Sequence, residues 1–214
     1  DFEEGTGSTT PGLNHPLVGI TPITLNVWHH AAATFANGVF KIYLDGILQN
    51  TLTLTTSVFP QGASIQHAAL GTMISSTGAA VGKFQGVIDE ARIWNFAKTL
   101  SEIRTTINSQ IPTAQAGLLA RWGLNEGSGT LVSNSAGTAL NGTVTLTGFA
   151  WVPGAPFNLV INVPPNQPAN PSPANNTTGQ STSPNLCATV SDPDGGNLQV
   201  RYFGRRKTST GAKF

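Results

Sequence analysis

The acidic side chains are the first candidates for chemistry in this sequence. Hydrolysis of a glycoside needs two carboxylates that face each other across the sugar, about 5 Å or more apart. Asp89 and Glu90 are neighbours, and neighbours on a strand point to opposite faces. Asp1 and Glu3 share a face, but no Glu-x-Asp-x-x-Glu strand contains them. The Gly-x-Ser-x-Gly, P-loop and His-Glu-x-x-His motifs are also missing, so we predict that this chain is not an enzyme.

The histidines and tryptophans are the next candidates. His29 and His30 are adjacent, so on a strand they cannot chelate one ion together, and we interpret one of them as a structural residue with a hydrogen-bonded ring. The four tryptophans have two interpretations, core packing or a platform on which a sugar stacks. A platform requires an exposed ring beside polar groups, and the sequence does not tell which ring is exposed. The tryptophans are Trp28, Trp94, Trp122 and Trp151.

The elements that position these residues are predicted to be strands. Between residues 25 and 54 the apolar side chains recur at every second position, which is typical of half-buried strands. Asn37-Gly38 and Asp45-Gly46 interrupt this pattern, and both pairs favour the positive φ of a tight hairpin turn. We therefore predict three consecutive antiparallel strands. A short helix is predicted over residues 101–107, capped by Ser101 or Thr99.

Three segments together resemble a known family. They are residues 27–35 with Trp-His-His-x-Ala, residues 39–46 with Tyr-x-Asp-Gly, and residues 86–95 with Gly-x-Ile-Asp-Glu-x-Arg-Ile-x-Asn. In this order they resemble the second half of a laminin G-like, or concanavalin A-like, lectin jelly roll, over residues 1–110 and more loosely to 157. The resemblance implies an all-β fold, an antiparallel jelly-roll β-sandwich of two packed sheets. We expect the following side chains to be buried in it: Trp28, Ile42, Leu44, Ile88 and Ile93.

The resemblance also makes Asp89 a candidate metal ligand. Related jelly rolls often hold a structural calcium with the Asp of this strand, and calcium takes hard oxygen ligands. The alternative is that Asp89 only accepts backbone hydrogen bonds at the start of the strand, and the sequence leaves both interpretations open. No other residue is assigned to a catalytic, cofactor or ligand site.

Changes in amino-acid composition along the sequence predict three regions. Residues 1–157 would be the jelly roll, with 1–5 as an internal strand and 117–157 as strands that complete it; the start of a second repeat is the alternative for 117–157. Only about 25 residues precede the Trp-His-His strand, so we expect the first strands of the jelly roll to be missing and apolar surface to be exposed. Residues 158–184, rich in Pro, Asn and Ser, would be an extended linker. Residues 185–214 would begin an immunoglobulin-like domain, with 185–190 and 198–203 as its first paired strands.

Composition restricts the partners. The 214 residues include 24 Gly and 14 Pro, only 10% are charged, and the net charge is +1. With this composition we expect no basic surface that binds a polyanion, and therefore no nucleic-acid partner. No stretch is long enough for membrane insertion. The one cysteine, Cys187, cannot form an internal disulfide. We expect a secreted or cell-surface protein.

Two function classes follow. The first is a non-catalytic carbohydrate-binding or adhesion module of a larger exported bacterial protein, whose partner is a glycan or an extracellular protein. The second is a structural spacer. The order of regions also resembles the accessory part of proteins that continue into a calcineurin-like metallophosphoesterase, whose metal motifs are absent from this sequence. That activity would belong to residues beyond Phe214.

Overall fold

The structure is a computed structural model that describes residues 1–5, 12–62, 69–74, 79–111, 113–145, 147–161, 163–195 and 197–201. The chain divides into two compact units, Asp1–Val160 and Ile161–Phe214. Secondary structure in the described residues is mainly short strands, with one helix. In the described part of the chain no helix is long and apolar enough to cross a bilayer.

The first unit contains eleven of the described strands and the helix. Every strand pair is antiparallel, which confirms the predicted all-β fold class. By hydrogen bonding the described strands form one sheet of three strands and several of two. In chain order the elements are β1 (Phe2–Glu3), β2 (Asn14–His15), β3 (Ala31–Ala36), β4 (Val39–Leu44), β5 (Ile47–Thr53), β6 (Thr72–Ile74), β7 (Ala80–Lys83), β8 (Ala91–Trp94), α1 (Leu100–Thr106), β9 (Leu118–Trp122), β10 (Leu131–Val132) and β11 (Gly142–Thr143).

The three-stranded sheet β3-β4-β5 is the predicted meander. Asn37 and Gly38 have φ of 49° and 75°, and Asp45 and Gly46 have φ of 49° and 71°, so both dipeptides form the left-handed turns that their types favour. Gly38 is required at its position for a second reason. A Cβ there would lie 2.7 Å from the carbonyl oxygen of Leu54.

Helix α1 confirms the predicted helix and selects its cap. Thr99 is the N-cap: its hydroxyl accepts from the backbone N–H of Glu102 at 3.2 Å, and the Glu102 carboxylate accepts from the Thr99 N–H at 2.7 Å. This reciprocal capping box satisfies two N–H groups that the first turn leaves without helical partners. The apolar stripe of the helix, Ile103 and Ile107, is buried.

The predicted core is only partly correct. Phe40 and Tyr43 of β4 are buried, whereas Trp28, Ile42 and Leu44 are half-buried. The prediction was wrong for Ile88 and Ile93, whose exposed fractions are 36% and 45%. In β8 the inward positions are taken by Arg92 and Trp94, and Ile93, between them, points outward. A separate cluster of buried side chains, Ile111, Leu118 and Ala136, packs against Trp94.

The first residues of the chain belong to this unit. Strand β1 pairs with β2, as expected for an internal strand, and the Phe2 ring packs against the rings of His15, Phe35 and Phe40 at centroid distances of 5.0 to 5.3 Å. The apolar surface expected near this end is present between residues 13 and 27. Its exposed side chains are Leu13, Val18, Ile20, Ile23, Leu25 and Val27.

Residues 117–145 continue the first unit through strand pairing. β9 pairs with β8, β10 pairs with β11, and a bridge joins Trp122 to Asn134. The strand β8 begins just after Asp89, and β9 pairs with it. This pairing supports the interpretation that residues 117–145 complete the first unit.

The second unit has one described strand pair, β12 (Ala169–Ser172) with β13 (Cys187–Thr189). Residues 169–172, within the predicted linker, form a strand, and the linker assignment of residues 158–184 stays a prediction. Pro171 is compatible with this strand because both strands of a two-stranded sheet are edges. The turn at Asp192 is present, with the Gly195 N–H bonded to its carbonyl at 3.1 Å. Residues 197–201 contain no strand, residues 202 and 203 lie outside the described residues, and the immunoglobulin-like assignment stays a prediction.

Candidate functional site

Asp89 lies just before β8 and reaches across to the segment after Trp151. Its Oδ2 accepts a hydrogen bond from the backbone N–H of Ala155 at 2.7 Å. A Cβ on Gly154 would lie 2.2 Å from the same oxygen, so this approach requires glycine at that position. Asp89 therefore accepts a backbone bond, but from a segment 66 residues away rather than from its own strand.

The second oxygen of Asp89 tests the calcium interpretation. Oδ1 is buried and has no hydrogen-bond partner among the described residues. However, the described part of the chain contains no group of three or more His, Cys, Asp or Glu side chains that could hold a metal ion. Calcium takes six to eight oxygen ligands. The described side chains supply one of them and do not by themselves make up a calcium site.

Glu90, next to Asp89, holds a buried ion cluster that the sequence analysis missed. Its carboxylate accepts from Nε of Arg92 at 3.0 Å, from Nε of Arg121 at 3.0 and 3.1 Å and also from the terminal Nη2 of Arg121, and from the N–H of Ile111 at 3.1 Å. The side chains of Glu90, Arg92 and Arg121 are 6%, 10% and 9% exposed. We call these three residues the Glu90 cluster.

The Glu90 cluster joins elements that are far apart in sequence. Arg92 donates to the carbonyl oxygens of Thr106, at 3.0 Å, and Ser109. Arg121 donates to the Ser135 hydroxyl at 3.3 Å. The cluster therefore connects β8, β9 and the end of α1. A signal was available in the sequence, an arginine within the apolar run Leu-Leu-Ala-Arg-Trp of β9, but its partner lies 31 residues away.

Burial and pairing act in opposite directions in this cluster. Burial tends to raise the pKa of Glu90, but the hydrogen bonds from Arg121 and Ile111 and the two nearby positive charges outweigh it, so the pKa lies below its usual value. Burial lowers the pKa of Arg92, and the Glu90 carboxylate opposes this change. At neutral pH the cluster therefore contains an ionised carboxylate between two guanidinium groups.

His29 and His30 have different surroundings, as adjacent residues on an extended chain must. His29 Nδ1 lies 2.7 Å from Asp45 Oδ2, and His29 Nε2 lies 3.1 Å from the carbonyl oxygen of Thr24. The hydrogen bond with Asp45 raises the pKa of His29, and burial opposes it. The interpretation of one histidine as structural, with a bonded ring, is confirmed for His29.

His30 is bound to the same aspartate through its backbone. Its N–H donates to Asp45 Oδ1 at 2.8 Å, and its carbonyl oxygen accepts from the Asp45 N–H at 2.8 Å. Burial lowers the pKa of the His30 ring, and the nearby charge of Arg92 lowers it further. Its Nδ1 is buried without a partner among the described residues.

All four tryptophans are half-buried, and three of them have identifiable partners. The indole N–H of Trp122 donates to the Leu140 carbonyl at 2.8 Å, and that of Trp151 donates to the Gly129 carbonyl at 3.0 Å. Trp94 packs against the buried cluster, and Nζ of Lys98 lies 3.7 Å from its ring centroid. These tryptophans serve packing, so the exposed aromatic rings of this unit must be sought among other residues.

An exposed phenylalanine occupies a shallow open depression beside β6 and β7. Phe84 is 60% exposed, and the depression has a volume of about 490 Å³. We call it the Phe84 depression. Its lining residues are Gly71, Thr72, Met73, Gly82, Lys83, Phe84 and Ile88. Phe84 is not among the residues expected from the sequence as a sugar platform, which were tryptophan or tyrosine.

The Phe84 ring is held in place by its surroundings. Its backbone N–H donates to the carbonyl oxygen of Gly71 at 2.8 Å, which fixes the start of the side chain. A Cβ on Gly86 would lie 2.7 Å from two ring carbons of Phe84, so the ring lies directly on the backbone of this glycine. The backbone of Phe84 is therefore held by Gly71, and its exposed ring rests on one side against Gly86.

Comparison with known proteins agrees with this fold. Residues 5–104 match the family model described as the concanavalin A-like lectin/glucanases superfamily. This part of the chain is similar to laminin G-like domains. It includes the three-stranded sheet, the Phe84 depression and most of α1. Together with the antiparallel strand pairs, the match establishes the jelly-roll class that the sequence predicted.

One solved structure is also similar to the chain. It is the crystal structure of "a putative carbohydrate binding protein from Bacteroides ovatus", 20% identical in sequence, with a TM-score of 0.48. The similarity covers 66% of this chain and 40% of the other, so the matched part spans less than half the length of that protein. The comparison with curated proteins gave no match.

Proposed function

We propose that this chain is a non-catalytic carbohydrate-binding module whose ligand contacts the Phe84 depression. The observation that carries the proposal is an exposed aromatic ring, resting against Gly86, within a segment that matches a lectin and glucanase superfamily. Carbohydrate rings have an apolar C–H face and polar edges. An open depression with one aromatic ring, apolar neighbours and accessible polar groups is complementary to both.

Different lining residues of the Phe84 depression supply the apolar and the polar contacts. Phe84, Met73 and Ile88 supply apolar surface on which a sugar face can lie. Thr72 and Lys83 supply polar groups, although the Thr72 hydroxyl already donates to the carbonyl oxygen of Gly82 at 2.9 Å. A shallow site of this kind binds one or two sugar units weakly, and several modules or a long polysaccharide would strengthen attachment through multivalency.

The hydrogen bonds that the carboxylates accept within the chain support a binding role without catalysis. Nine of the ten acidic side chains accept hydrogen bonds from the chain itself, which leaves them engaged in holding loops and helix ends. Hydrolysis of a glycoside would need one carboxyl group to give a proton and a second to attack or to activate water. The nine are Glu3, Glu4, Asp45, Asp89, Glu90, Glu102, Glu126, Asp192 and Asp194.

A glycan array on the whole chain tests the proposal, followed by titration calorimetry with the best ligand. Phe84→Ala should weaken binding by about ten-fold, because the ligand loses the apolar area of one ring. Phe59→Ala is the matched control, since Phe59 is 59% exposed but does not line the depression. Equal losses in both variants, or no binding to any glycan, would contradict the proposal.

A second variant tests the position of the ring rather than its presence. Gly86→Ala places a methyl group 2.7 Å from the Phe84 ring carbons, so the ring must turn away. We expect Gly86→Ala to weaken glycan binding while the melting temperature stays close to that of the wild type, because the ring can turn into solvent. Unchanged affinity in Gly86→Ala would show that the orientation of Phe84 does not matter.

Three finer expectations are part of this proposal. They are a secreted or cell-surface location, a place within a larger exported bacterial protein, and a structural calcium at Asp89. The buried, unpaired Oδ1 of Asp89 supports the calcium. Repeating the array with a chelator separates a calcium-dependent ligand site from a calcium-independent one.

The exposed apolar side chains between residues 13 and 27 favour a second candidate, adhesion to another protein. Six large apolar side chains are exposed within these fifteen residues, and exposed apolar surface is typical of sites that contact another protein. Light scattering at high concentration tests this candidate. A monodisperse monomer that binds glycan would leave only the first function.

A further inference from the structure

The ring of His29 has an acceptor on each side. Asp45 Oδ2, 2.7 Å from Nδ1, is a carboxylate oxygen, and the Thr24 oxygen, 3.1 Å from Nε2, belongs to a backbone carbonyl. Neither atom can donate, so both hydrogen bonds exist together only when both ring nitrogens carry a proton. A neutral His29 keeps one proton and can make only one of the two bonds.

The two bonds close a loop and fasten it to the sheet. Thr24 and His29 are the ends of a short loop, so the Nε2 bond closes residues 24–29 on themselves. The Nδ1 bond attaches this closed loop to the Asp45-Gly46 turn between β4 and β5. Within the loop Asn26 has a φ of 59°, and the side chains of Leu25 and Val27 are 83% and 56% exposed.

We propose that His29 is a pH-sensitive latch, which in its imidazolium form holds residues 24–29 closed against the Asp45-Gly46 turn and releases Thr24 when it loses a proton. The proton that remains stays on Nδ1, because the charged Asp45 is a stronger acceptor than a carbonyl oxygen. The Thr24 carbonyl then loses its donor. The loop opens at that end, while the bond of His29 to Asp45 persists.

The other groups around the latch do not replace the lost donor. Asp45 is already bound to the His30 N–H through Oδ1. Arg104, from α1, donates its Nε to the carbonyl oxygen of Gly46 at 2.8 Å. The neighbouring His30 ring has its pKa lowered by burial, so it is neutral in the range in which His29 titrates.

The rest of the preceding segment is held without a titratable group. The Thr21 N–H donates to Gln49 Oε1 at 3.0 Å, and Asn50 Nδ2 donates to the Val18 carbonyl at 2.9 Å. Loss of the His29 proton therefore frees residues 24–28 alone. Below the pH of this transition the exposed side chains of Leu25 and Val27 have one arrangement. Above it they have several.

Nuclear magnetic resonance on the full chain tests the latch. The ring nitrogens of His29 should titrate above the ordinary value of 6.5, and the backbone order parameters of residues 25–28 should fall from about 0.85 to below about 0.6 across that titration. His29→Gln should show low order parameters in these residues that do not change with pH. His15→Gln, which alters another histidine–carboxylate pair of this unit, is the control and should keep the transition.

Three results would overturn the proposal. The first is a His29 ring that is neutral at pH 6. The second is a set of order parameters for residues 25–28 that stays constant while His29 titrates. The third is a wild-type transition that persists in His29→Gln. His29→Gln keeps Asp45 and its hydrogen bonds to His30, so we expect this variant to form the β3-β4-β5 sheet.

Discussion

Neutralising Glu90 should cost the first unit more stability than any other single carboxylate substitution considered for this chain. In Glu90→Gln the side chain keeps its size but loses its charge. Two guanidinium groups, on side chains 10% and 9% exposed, then lose the carboxylate that pairs with both of them. Removing one partner of a buried ion pair typically costs about 3 to 5 kcal/mol, and we expect a loss in this range. That is a large part of the roughly 5 to 15 kcal/mol by which domains are stable.

Urea unfolding followed by tryptophan fluorescence measures this loss. All four tryptophans lie within Asp1–Val160, so the signal reports on the unit that contains the Glu90 cluster. Glu102→Gln is the matched control, because Glu102 is an exposed carboxylate that also accepts hydrogen bonds, and its loss should cost much less than the loss of Glu90. Equal costs for the two variants would refute the reasoning that burial makes the Glu90 cluster important.

The pH dependence of this effect has a defined sign. The pKa of Glu90 is lower in the folded than in the unfolded chain, so the unfolded chain binds the proton more readily. The stabilisation is therefore complete above the unfolded value of about 4.5 and is lost as the pH falls through the folded pKa. The difference in unfolding free energy between wild type and Glu90→Gln should shrink below pH 4.5. A difference that is constant down to pH 2 would contradict the assignment.

Three further predictions concern single side chains. Asp89→Ala should lower the free energy of unfolding by about 1 to 3 kcal/mol, since a buried N–H loses its acceptor; a calcium-dependent rise in melting temperature in the wild type alone would identify a calcium ligand, and equal melting temperatures throughout would contradict both roles. Thr99→Ala should cost about 1 kcal/mol in urea unfolding, because it removes the N-cap of α1, and a cost near zero would show that the capping box is not needed. Gly38→Ala should be destabilising by more than 1 kcal/mol, because a Cβ would meet the Leu54 oxygen at 2.7 Å in a left-handed turn, and wild-type stability would show that the turn can shift.

The features that the sequence predicted correctly are local ones. Asn37-Gly38 and Asp45-Gly46 form their turns because the conformational preference belongs to the dipeptide itself. The helix at Leu100–Thr106 is recognisable because Thr99 and its partner in the capping box are three residues apart. Each of these signals is contained within a few consecutive residues, and so could be found without knowing the fold.

The features that the sequence did not predict depend on distant partners. Ile93 has the apolar character of a buried strand residue, but the inward face of β8 carries Arg92, which donates to the end of α1 14 residues away. Residues 169–172 have linker composition, and they form a strand because β13 lies alongside. Phe84 is exposed because Gly71 and Gly86 fix its position. None of these partners is visible in the local pattern.

The Asp45-Gly46 turn has a consequence for labelling the protein. Tight surface turns are usually good places for an inserted tag. At this turn, however, His29, His30 and Arg104 all attach, so an insertion would detach a loop, a strand end and a helix together. An insertion beside Gly127 is a better choice, since the space around it is open to 4 Å, provided that the glycine itself, with a φ of 72°, is kept. A fluorophore placed near Gly127 would leave the latch and the sheet register intact.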